Sequence, residues 1–206
     1  MSSSMSSGVA VGRRERKKLE TRARLESVAL DLFEERGYDA TTVEDVTESA
    51  DVAVRTFFRY FPSKEALLVG PTGEALTALE AALDARPEGE TPYVSVVAAL
   101  RSLRGEALRA QEASVLRRLR LALVVPAARA GVLEAYQQWE GVLVRHLRRR
   151  RPDGDVLETR VVAAGVMAAF RVAVESWVEG GGGDDLDDLF DRAVERMGTG
   201  LADVTS

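Results

Sequence analysis

The stretch 41–64 constrains the fold of this chain more than any other, because a short helix leading into a tight corner can be read at its start. Thr42 is a favourable N-cap residue, and Asp45 three positions later provides a weaker form of the capping box. We expect the helix to end near Ala50, since Asp51 is one of the few residues besides glycine that tolerate a left-handed backbone.

A second short helix is predicted over residues 54–61, because Pro62 ends it. Phe57 and Phe61 lie four positions apart, so both rings should point into the core. The other faces carry guanidinium, hydroxyl and aromatic groups but no acid, on Arg55, Thr56, Phe58, Arg59 and Tyr60. Helix, corner and helix give the helix-turn-helix outline, and this outer face suits the major groove of DNA. A small helical corner with a mixed surface is the alternative interpretation.

The side chains of the second helix indicate which contacts it would make with DNA. Arg55 near the N-terminus can reach a guanine edge, and Thr56 a thymine methyl group or a phosphate. Tyr60 can donate to a phosphate oxygen. Ser63 is expected to cap the next helix, which places the ammonium group of Lys64 at a helix N-terminus, where phosphate binding is favoured.

A set of short motifs occurs in a fixed order between residues 19 and 68. They are Gly37-Tyr38, Thr41-Thr42-Val43, Arg55-Thr56-Phe57-Phe58-Arg59-Tyr60-Phe61 and Ser63-Lys64-Glu65-Ala66-Leu67. In this combination the chain resembles the N-terminal domain of the TetR (tetracycline-repressor) family of regulators. The resemblance implies an all-α homodimer with an N-terminal DNA-binding domain. It also implies a C-terminal domain that binds a small molecule and releases the operator.

Carried over by position, the DNA contacts of the family fall on Thr42, Val43, Arg55, Thr56, Phe58, Tyr60 and Lys64. The chain departs from the family at the corner, where Asp51 replaces a usual glycine and Ala53-Val54 replaces a frequent Ser-Pro pair. Without the serine cap, the first turn of the second helix is expected to fray. Asp51 also places a carboxylate near the predicted DNA face.

Charge is distributed unevenly along the chain, although the net charge is −5. Residues 13–24 are strongly basic, whereas the segment from Glu179 onward is acidic. The distribution of sign bears on nucleic-acid binding more than the total does. We therefore expect the basic arm, including Arg13 and Arg14, to contact phosphates. A solvated tail is the alternative.

The domain organisation follows from composition and from the position of the helix-turn-helix. We predict an all-α protein with an N-terminal three-helix helix-turn-helix domain and a C-terminal helical domain for ligand binding and dimerisation. Residues 1–12 are rich in serine and should form a disordered tail. Residues 13–68 form the DNA-binding domain, and residues 69–206 form the effector-binding and dimerisation domain.

Two breaks in helical pattern are predicted in and after the first domain. Gly37 ends the first helix as a C-terminal cap residue. The helix that starts at Ser63 meets Gly70-Pro71, and an interior proline costs about 3 kcal/mol, so we expect a kink or break there and helix again from Glu74. A new helix with Pro71 at its first position is the alternative.

The C-terminal domain should contain helices at residues 93–109, 112–124, 127–149, 156–178 and from 186 to 201. Residues 156–178 are apolar on most sides, so we expect burial all round, partly in the domain core and partly against a second subunit. The last two helices are predicted to form a four-helix bundle across a two-fold axis. The predicted interface residues are Val162, Val166, Phe170, Leu189 and Phe190.

A small-molecule effector would bind among the helices between Tyr93 and Val178. The side chains available for an apolar wall are Tyr136, Trp139, Met167, Phe170 and Trp177. Arg101, Arg104, Arg118 and Arg120 are available to meet an anionic group. Ordinary core packing of the aromatic residues is the alternative.

Residue counts argue against several other classes of protein. The chain has no cysteine and a single histidine, His146, so we predict no disulfide, no metal site and no cofactor. It lacks a nucleophile motif and supported carboxylate pairs, so we do not expect an enzyme. The start lacks a secretory signal, and the apolar run 161–170 is too short to span a bilayer, which predicts a cytoplasmic protein without a membrane partner.

The function predicted from these features is a ligand-responsive transcriptional regulator of the repressor type. Its partners would be a palindromic double-stranded DNA operator, a second copy of the chain and a small-molecule effector. The alternative is a ligand-independent architectural DNA-binding protein or a structural helical dimer.

Overall fold

The computed structural model describes residues 12–103 and 112–198, and each regular element in those ranges is an α-helix. The helices are α1 (Arg13–Arg36), α2 (Val43–Ser49), α3 (Val54–Tyr60), α4 (Ala66–Val69), α5 (Thr72–Asp84), α6 (Pro92–Ser102), α7 (Glu112–Val124), α8 (Pro126–Arg150), α9 (Val156–Glu179) and α10 (Leu186–Gly198). The predicted all-α class is confirmed. The serine-rich tail and the ends of the helices predicted at 93–109 and 186–201 lie outside the described residues.

The chain forms two compact units, one that ends at Leu67 and one that begins at Leu68. In the first unit, α1 contacts α2, and α2 contacts α3. Ala29 and Phe33 on α1 are buried, as helical spacing of apolar residues predicts. Gly37 ends α1 with a φ of 87°, and its N–H donates to the Phe33 carbonyl at 3.0 Å. The predicted C-terminal cap is confirmed.

Thr42 and Asp45 form a complete capping box at the start of α2. The Asp45 N–H donates to Thr42 Oγ1 at 3.1 Å, and the Thr42 N–H donates to Asp45 Oδ2 at 2.7 Å. The helix ends at Ser49, and Asp51 follows with a φ of 50°. Both the cap and the left-handed residue at the corner are confirmed, and the box is closed in both directions despite the short aspartate side chain.

The segment after the helix-turn-helix differs from its prediction. Helix α4 is a single turn that begins at Ala66 rather than at Ser63. Before this turn, the Ser63 hydroxyl bonds the Glu65 side chain and lowers the pKa of that carboxyl. The predicted break is confirmed, since Gly70 has a φ of 81° and separates α4 from α5. Pro71 lies just before α5 and not at its first position, so that alternative is wrong.

Helix α9 forms the centre of the second unit and packs against α8 and α10. Its inner face, which includes Val166 and Trp177, shares one core with Leu143 of α8 and Phe190 of α10. Among the described residues, α9 is the one helix long and apolar enough to cross a bilayer, so the sequence-based limit of 161–170 was too narrow. Its packing identifies it as a core helix of this unit.

The outer face of α9 is exposed in the protomer, so the predicted packing of this side against a second subunit stays a prediction. The exposed fractions of Leu157, Val161 and Val172 are 68%, 61% and 46%. Ala164 and Ala168 are exposed between them. The five positions recur every three or four residues and form one apolar face, which we call the α9 stripe.

Candidate nucleic-acid interface and effector site

Helix α3 is fixed from behind by two aromatic side chains. Phe57 and Phe61 are 0% and 2% exposed, with ring centroids 5.5 Å apart. The guanidinium carbon of Arg22 on α1 lies 5.4 Å from the Phe61 ring centroid. Burial of two phenyl rings stabilises the helix by roughly 2 kcal/mol each, which holds a seven-residue element that would not form alone. The predicted inward orientation of both rings is confirmed.

The outward face of α3 is cationic and aromatic. Arg55, Phe58 and Arg59 are exposed, and Thr56 and Tyr60 are half-buried. The Arg59 guanidinium lies 5.1 Å from the Tyr60 ring centroid and donates to its hydroxyl at 3.5 Å. Helix α3 has no acidic residue in its first turn and a basic residue in its last. This surface can approach phosphates and base edges without opposing charge.

Arg59 was omitted from the predicted DNA contacts, although the structure places it beside Tyr60 on the same outer surface. Arg55 and Arg59 are four residues apart, so their guanidinium groups project from neighbouring turns of one face. That spacing was visible in the sequence. A search for paired arginines at helical spacing would have found it.

The two predicted contacts at the start of α2 lie in different surroundings. Val43 is half-buried, and Thr42 is exposed but occupied by the capping box, where its hydroxyl donates to Asp45 Oδ2 at 2.6 Å. The bonds from Thr42 lower the pKa of the Asp45 carboxyl, which therefore stays ionised at neutral pH. A phosphate at this helix end has to approach a fixed negative charge. The contact through Thr42 remains a prediction.

Lys64 is engaged inside the first unit. Its Nζ donates to the carbonyl oxygens of Tyr38 and Thr41 at 2.8 Å each and lies 4.0 Å from the Tyr38 ring centroid. The ammonium group thus holds the loop that leads into α2, rather than standing at the start of a helix. It has three N–H donors, so one remains for a further acceptor.

The basic segment begins as helix and not as an extended arm. Helix α1 starts at Arg13, and both Arg13 and Arg14 are exposed in its first turn. Positive charge is unfavourable at a helix N-terminus, where the backbone N–H groups already carry partial positive charge. An anion such as a phosphate would relieve this, which keeps the predicted contact physically reasonable.

Comparisons with known proteins agree with this geometry. Residues 26–69 match the family model of bacterial regulatory proteins, tetR family, and residues 90–202 match that of the MftR C-terminal domain. The HTH-type transcriptional regulator TcmR of Streptomyces glaucescens is 34% identical over 173 residues, which cover 81% of this chain and 76% of TcmR. The chain belongs to the TetR family. It is a transcriptional regulator with a DNA-binding helix-turn-helix motif.

Other relatives of this TetR-family chain extend the comparison. The HTH-type transcriptional repressor KstR of Mycolicibacterium smegmatis is 43% identical over 75 residues, or 36% of this chain and 37% of KstR. The fold is shared with FadR of Thermus thermophilus, solved with lauroyl-CoA, at a TM-score of 0.55 and 21% identity over 84% of this chain and 91% of FadR. At that identity the likeness concerns the fold.

Most of the predicted effector residues of this TetR-family chain lie together in the second unit. Tyr136 and Trp139 of α8 contact Phe170 of α9, with ring centroids 6.5 and 5.7 Å apart. Met167 and Trp177 are buried in the same core. Burial raises the pKa of Tyr136 to about 12, with a smaller contribution from the Glu175 carboxylate. The phenol is therefore neutral at physiological pH.

Two of the arginines predicted to meet an anionic effector, Arg101 and Arg120, are exposed rather than buried in this aromatic core. Arg120 is exposed on α7, close to the backbone of Gly181. Arg101 is exposed and forms an ion pair with Asp191 of α10. Arg104 lies outside the described residues. Arg118 is half-buried on α7, where its guanidinium lies beside Gly70.

The predicted dimer residues require correction. Val166 and Phe190 are 0% and 3% exposed inside one protomer, so they belong to its core and cannot face a partner. Phe170 is half-buried between Trp139 and Phe190, while Val162 and Leu189 are half-buried at the edge of the core. Because α9 has no polar face, its sequence does not indicate which side is exposed to solvent. In the structure, the exposed side is the α9 stripe.

Proposed function

We propose that this regulator is a homodimeric repressor that binds a palindromic operator through α3 and releases it when a small molecule binds in the second unit. The observation that carries the proposal is the outer face of α3. Arg55, Arg59 and the exposed Phe58 ring project outward, while Phe57 and Phe61 fix the helix from behind. A core element has no need of that outer surface, whereas a major-groove helix does.

Each side chain on this face suits a different part of a DNA groove. The guanidinium groups can bond guanine O6 and N7 or neutralise phosphates, and Phe58 can contact a thymine methyl group. Tyr60 carries a hydroxyl beside Arg59 that can donate to a phosphate oxygen. The combination supports direct reading of a sequence rather than charge neutralisation alone.

The α9 stripe supports the dimeric part of the proposal. An apolar face of five residues on a long helix has no partner within the described protomer, and exposed patches of this kind mark interaction surfaces. A two-fold axis pairs the stripe with its own copy, which is the commonest arrangement of soluble homo-oligomers. Two copies of α3 would then bind half-sites about 34–36 Å apart on one face of the duplex.

Release by a small molecule is proposed from family membership and from the aromatic interior of the second unit. FadR of Thermus thermophilus and SmeT are described as complexes with lauroyl-CoA and with triclosan, and SmeT has a TM-score of 0.62 at 15% identity over 85% of this chain and 90% of SmeT. The core around Phe170 of this chain is rich in aromatic side chains, as ligand pockets usually are.

Selection of bound fragments from the source genome, followed by binding measurements, tests the proposal. The selected duplex should contain an inverted repeat, and it should bind at least about 10³-fold more tightly than a scrambled duplex of equal composition. The measurement is fluorescence anisotropy at a fixed salt concentration, because affinity depends strongly on salt. Equal affinity for both duplexes would favour the architectural alternative instead.

A further inference from the structure

Two buried indole N–H groups in the second unit have no hydrogen-bond acceptor. The Nε1 atoms of Trp139 and Trp177 are inaccessible to solvent, and neither finds a partner among the residues that the structure describes. The Trp177 side chain is 2% exposed. An unsatisfied buried donor has lost its hydration without a replacement, so such groups are rare in folded proteins and require an explanation. Two in one small core indicate acceptors that are supplied by another molecule.

Both indoles lie along the same side of α9. The Trp139 ring packs on Phe170, with centroids 5.7 Å apart and an angle of 32° between planes. Trp177 follows Phe170 by seven residues, which is two helical turns and returns to the same face. At 1.5 Å per residue, the two levels are about 10 Å apart along α9. The two indoles therefore lie at levels of α9 that are about two helical turns apart.

No fully buried side chain in the described part of the second unit is an aspartate, glutamate, lysine or arginine. Among the described residues of the second unit, the buried polar side chains are Ser95 and His146, and these bond each other at 3.0 Å. The Tyr136 phenol at the same cluster is neutral. The charge of Arg171 reaches this phenol, but its guanidinium is already bound to Glu175 at 3.0 Å. A carboxylate or phosphate placed here would therefore lose its hydration and would have to compete with Glu175 for a cation. Neutral oxygens, such as ketone carbonyls, fit the indole donors without that cost.

Helix α7 is the wall of this core that can yield to a ligand. Its apolar residues Val115, Leu116, Leu119 and Leu123 pack against the core but stay half-buried, and Ala122 is its one fully buried side chain. The helices α8 and α9 on the other sides bury many more residues. Of these three helices, α7 is therefore the one whose displacement exposes the fewest fully buried side chains.

We infer that the second unit binds an uncharged, flat and largely apolar molecule that carries two ketone-type acceptor oxygens about two helix turns apart, with Trp139 and Trp177 as their donors. The inference rests on the proposed function only in assigning the effector site to this unit. It replaces the anionic ligand suggested by the arginine content, because Arg101 and Arg120 are exposed and the guanidinium of Arg118 lies beside Gly70.

A matched pair of synthetic probes tests the inference on the full chain. The first is a diacetylnaphthalene with its acetyl groups at opposite ends of the ring system, and the second is the diethyl analogue, which has the same shape without acceptors. Affinity is measured by isothermal titration and by the emission of the two tryptophans. We expect the diacetyl compound to bind at least roughly fivefold more tightly, since one neutral hydrogen bond contributes about 1 kcal/mol.

The variants Trp139→Phe and Trp177→Phe keep an aromatic ring but remove the donor. Each should reduce the affinity ratio of the two probes by roughly fivefold, whereas Phe190→Leu should weaken both probes equally and leave the ratio unchanged. A loss of packing weakens both probes alike and leaves their affinity ratio unchanged. The ratio therefore measures the hydrogen bond even in a variant of lowered stability. Equal affinity of the two probes, no binding of either, or an unchanged ratio in both tryptophan variants would overturn the inference. Operator binding by the same preparations is measured separately, so failure of the proposed function is distinguishable.

Discussion

The Val69 side chain fills the space beside Gly131, because its Cγ2 atom lies 2.6 Å from the position that a Cβ on Gly131 would take. No real Cβ tolerates that distance, and valine is stiff about χ1, so it cannot rotate aside cheaply. Gly131→Ala should therefore destabilise the protein by about 1–3 kcal/mol through overpacking. Urea denaturation followed by circular dichroism measures this.

The double variant Val69→Ala with Gly131→Ala provides the control. Removal of the two γ-methyl groups gives the new Cβ its space, so the double variant should be more stable than Gly131→Ala alone. A strictly additive result would show that the two residues do not compete for one space.

Arg55→Ala should weaken operator binding and relax the preference for one base pair in each half-site. A bidentate contact to guanine contributes about 1–3 kcal/mol of discrimination, and we expect a loss of that size on the operator but little change on scrambled DNA. Arg148→Ala removes an equally exposed guanidinium from the end of α8 and serves as control. Parallel losses on operator and scrambled DNA would assign Arg55 to a phosphate instead.

Lys64→Met separates a phosphate contact from a positioning role. The variant loses two bonds to backbone carbonyls, so we expect lower stability by about 1–3 kcal/mol and weaker binding to all DNA sequences. If the ammonium only holds the loop, the salt dependence of binding stays the same; a phosphate contact would lower its slope by about one. Arg148→Met, at an exposed arginine of α8 in the second unit, is the control for loss of one positive charge.

Val161→Glu should convert the dimer into monomers, because it places a charge in the middle of the α9 stripe. Burying an unpaired carboxylate at an apolar interface costs several kcal/mol. Sedimentation velocity measures the change. Val124→Glu, at a residue that is 74% exposed on α7, controls for charge and for lost apolar surface. A dimer that persists in Val161→Glu would place the interface on another face.

Stability should fall as the pH drops below about 6.5, because of His146. Burial lowers the pKa of His146 below its ordinary value of 6.5, and Arg150 and Arg149 lower it further, against a small opposing effect of Asp84. Below pH 6.5 the unfolded chain binds a proton at His146 more readily than the folded chain does. The contribution of neutral His146 to the free energy of unfolding is therefore complete above pH 6.5 and is lost as the pH falls from 6.5 to the lowered pKa.

Comparison with His146→Gln isolates this titration. Ser95 Oγ donates to the Pro92 carbonyl at 2.8 Å and must accept from His146 Nε2–H, and the glutamine amide can also donate. The free energy of unfolding is measured between about pH 5 and pH 8. The wild type should show a steeper decline on acidification than the variant, and identical slopes would contradict the assignment.

The local features of the fold could be predicted because neighbouring residues determine them. Thr42 with Asp45 sets the start of α2, and Asp51 and Gly37 take backbone conformations that few residues adopt. Pro71 has no N–H and clashes with the preceding turn, so it cannot lie in a helix interior without breaking it. Each of these effects acts within four residues of the chain, so tertiary contacts had little opportunity to override them.

The misjudged features depend on packing between distant residues. Helix α9 is apolar on nearly all sides, so its hydrophobic pattern cannot show that Val166 faces inward and Val161 outward. The ammonium of Lys64 is bound by carbonyls more than twenty residues away. The indole N–H groups of Trp139 and Trp177 are likewise unpaired because the described residues packed around them supply no hydrogen-bond acceptor.

The exposed Phe58 ring affects the tendency of the protein to self-associate when it is not bound to DNA. A phenyl group that is 54% exposed is favoured, at about 25 cal/mol per Å² of covered apolar area, by any contact that hides it, whatever the identity of the other surface. Arg55 and Arg59 flank that ring, so two such faces repel each other at close range while a polyanion attracts both. This repulsion between like charges opposes self-association through the Phe58 ring at high protein concentration. Added salt screens the charges and should therefore increase self-association.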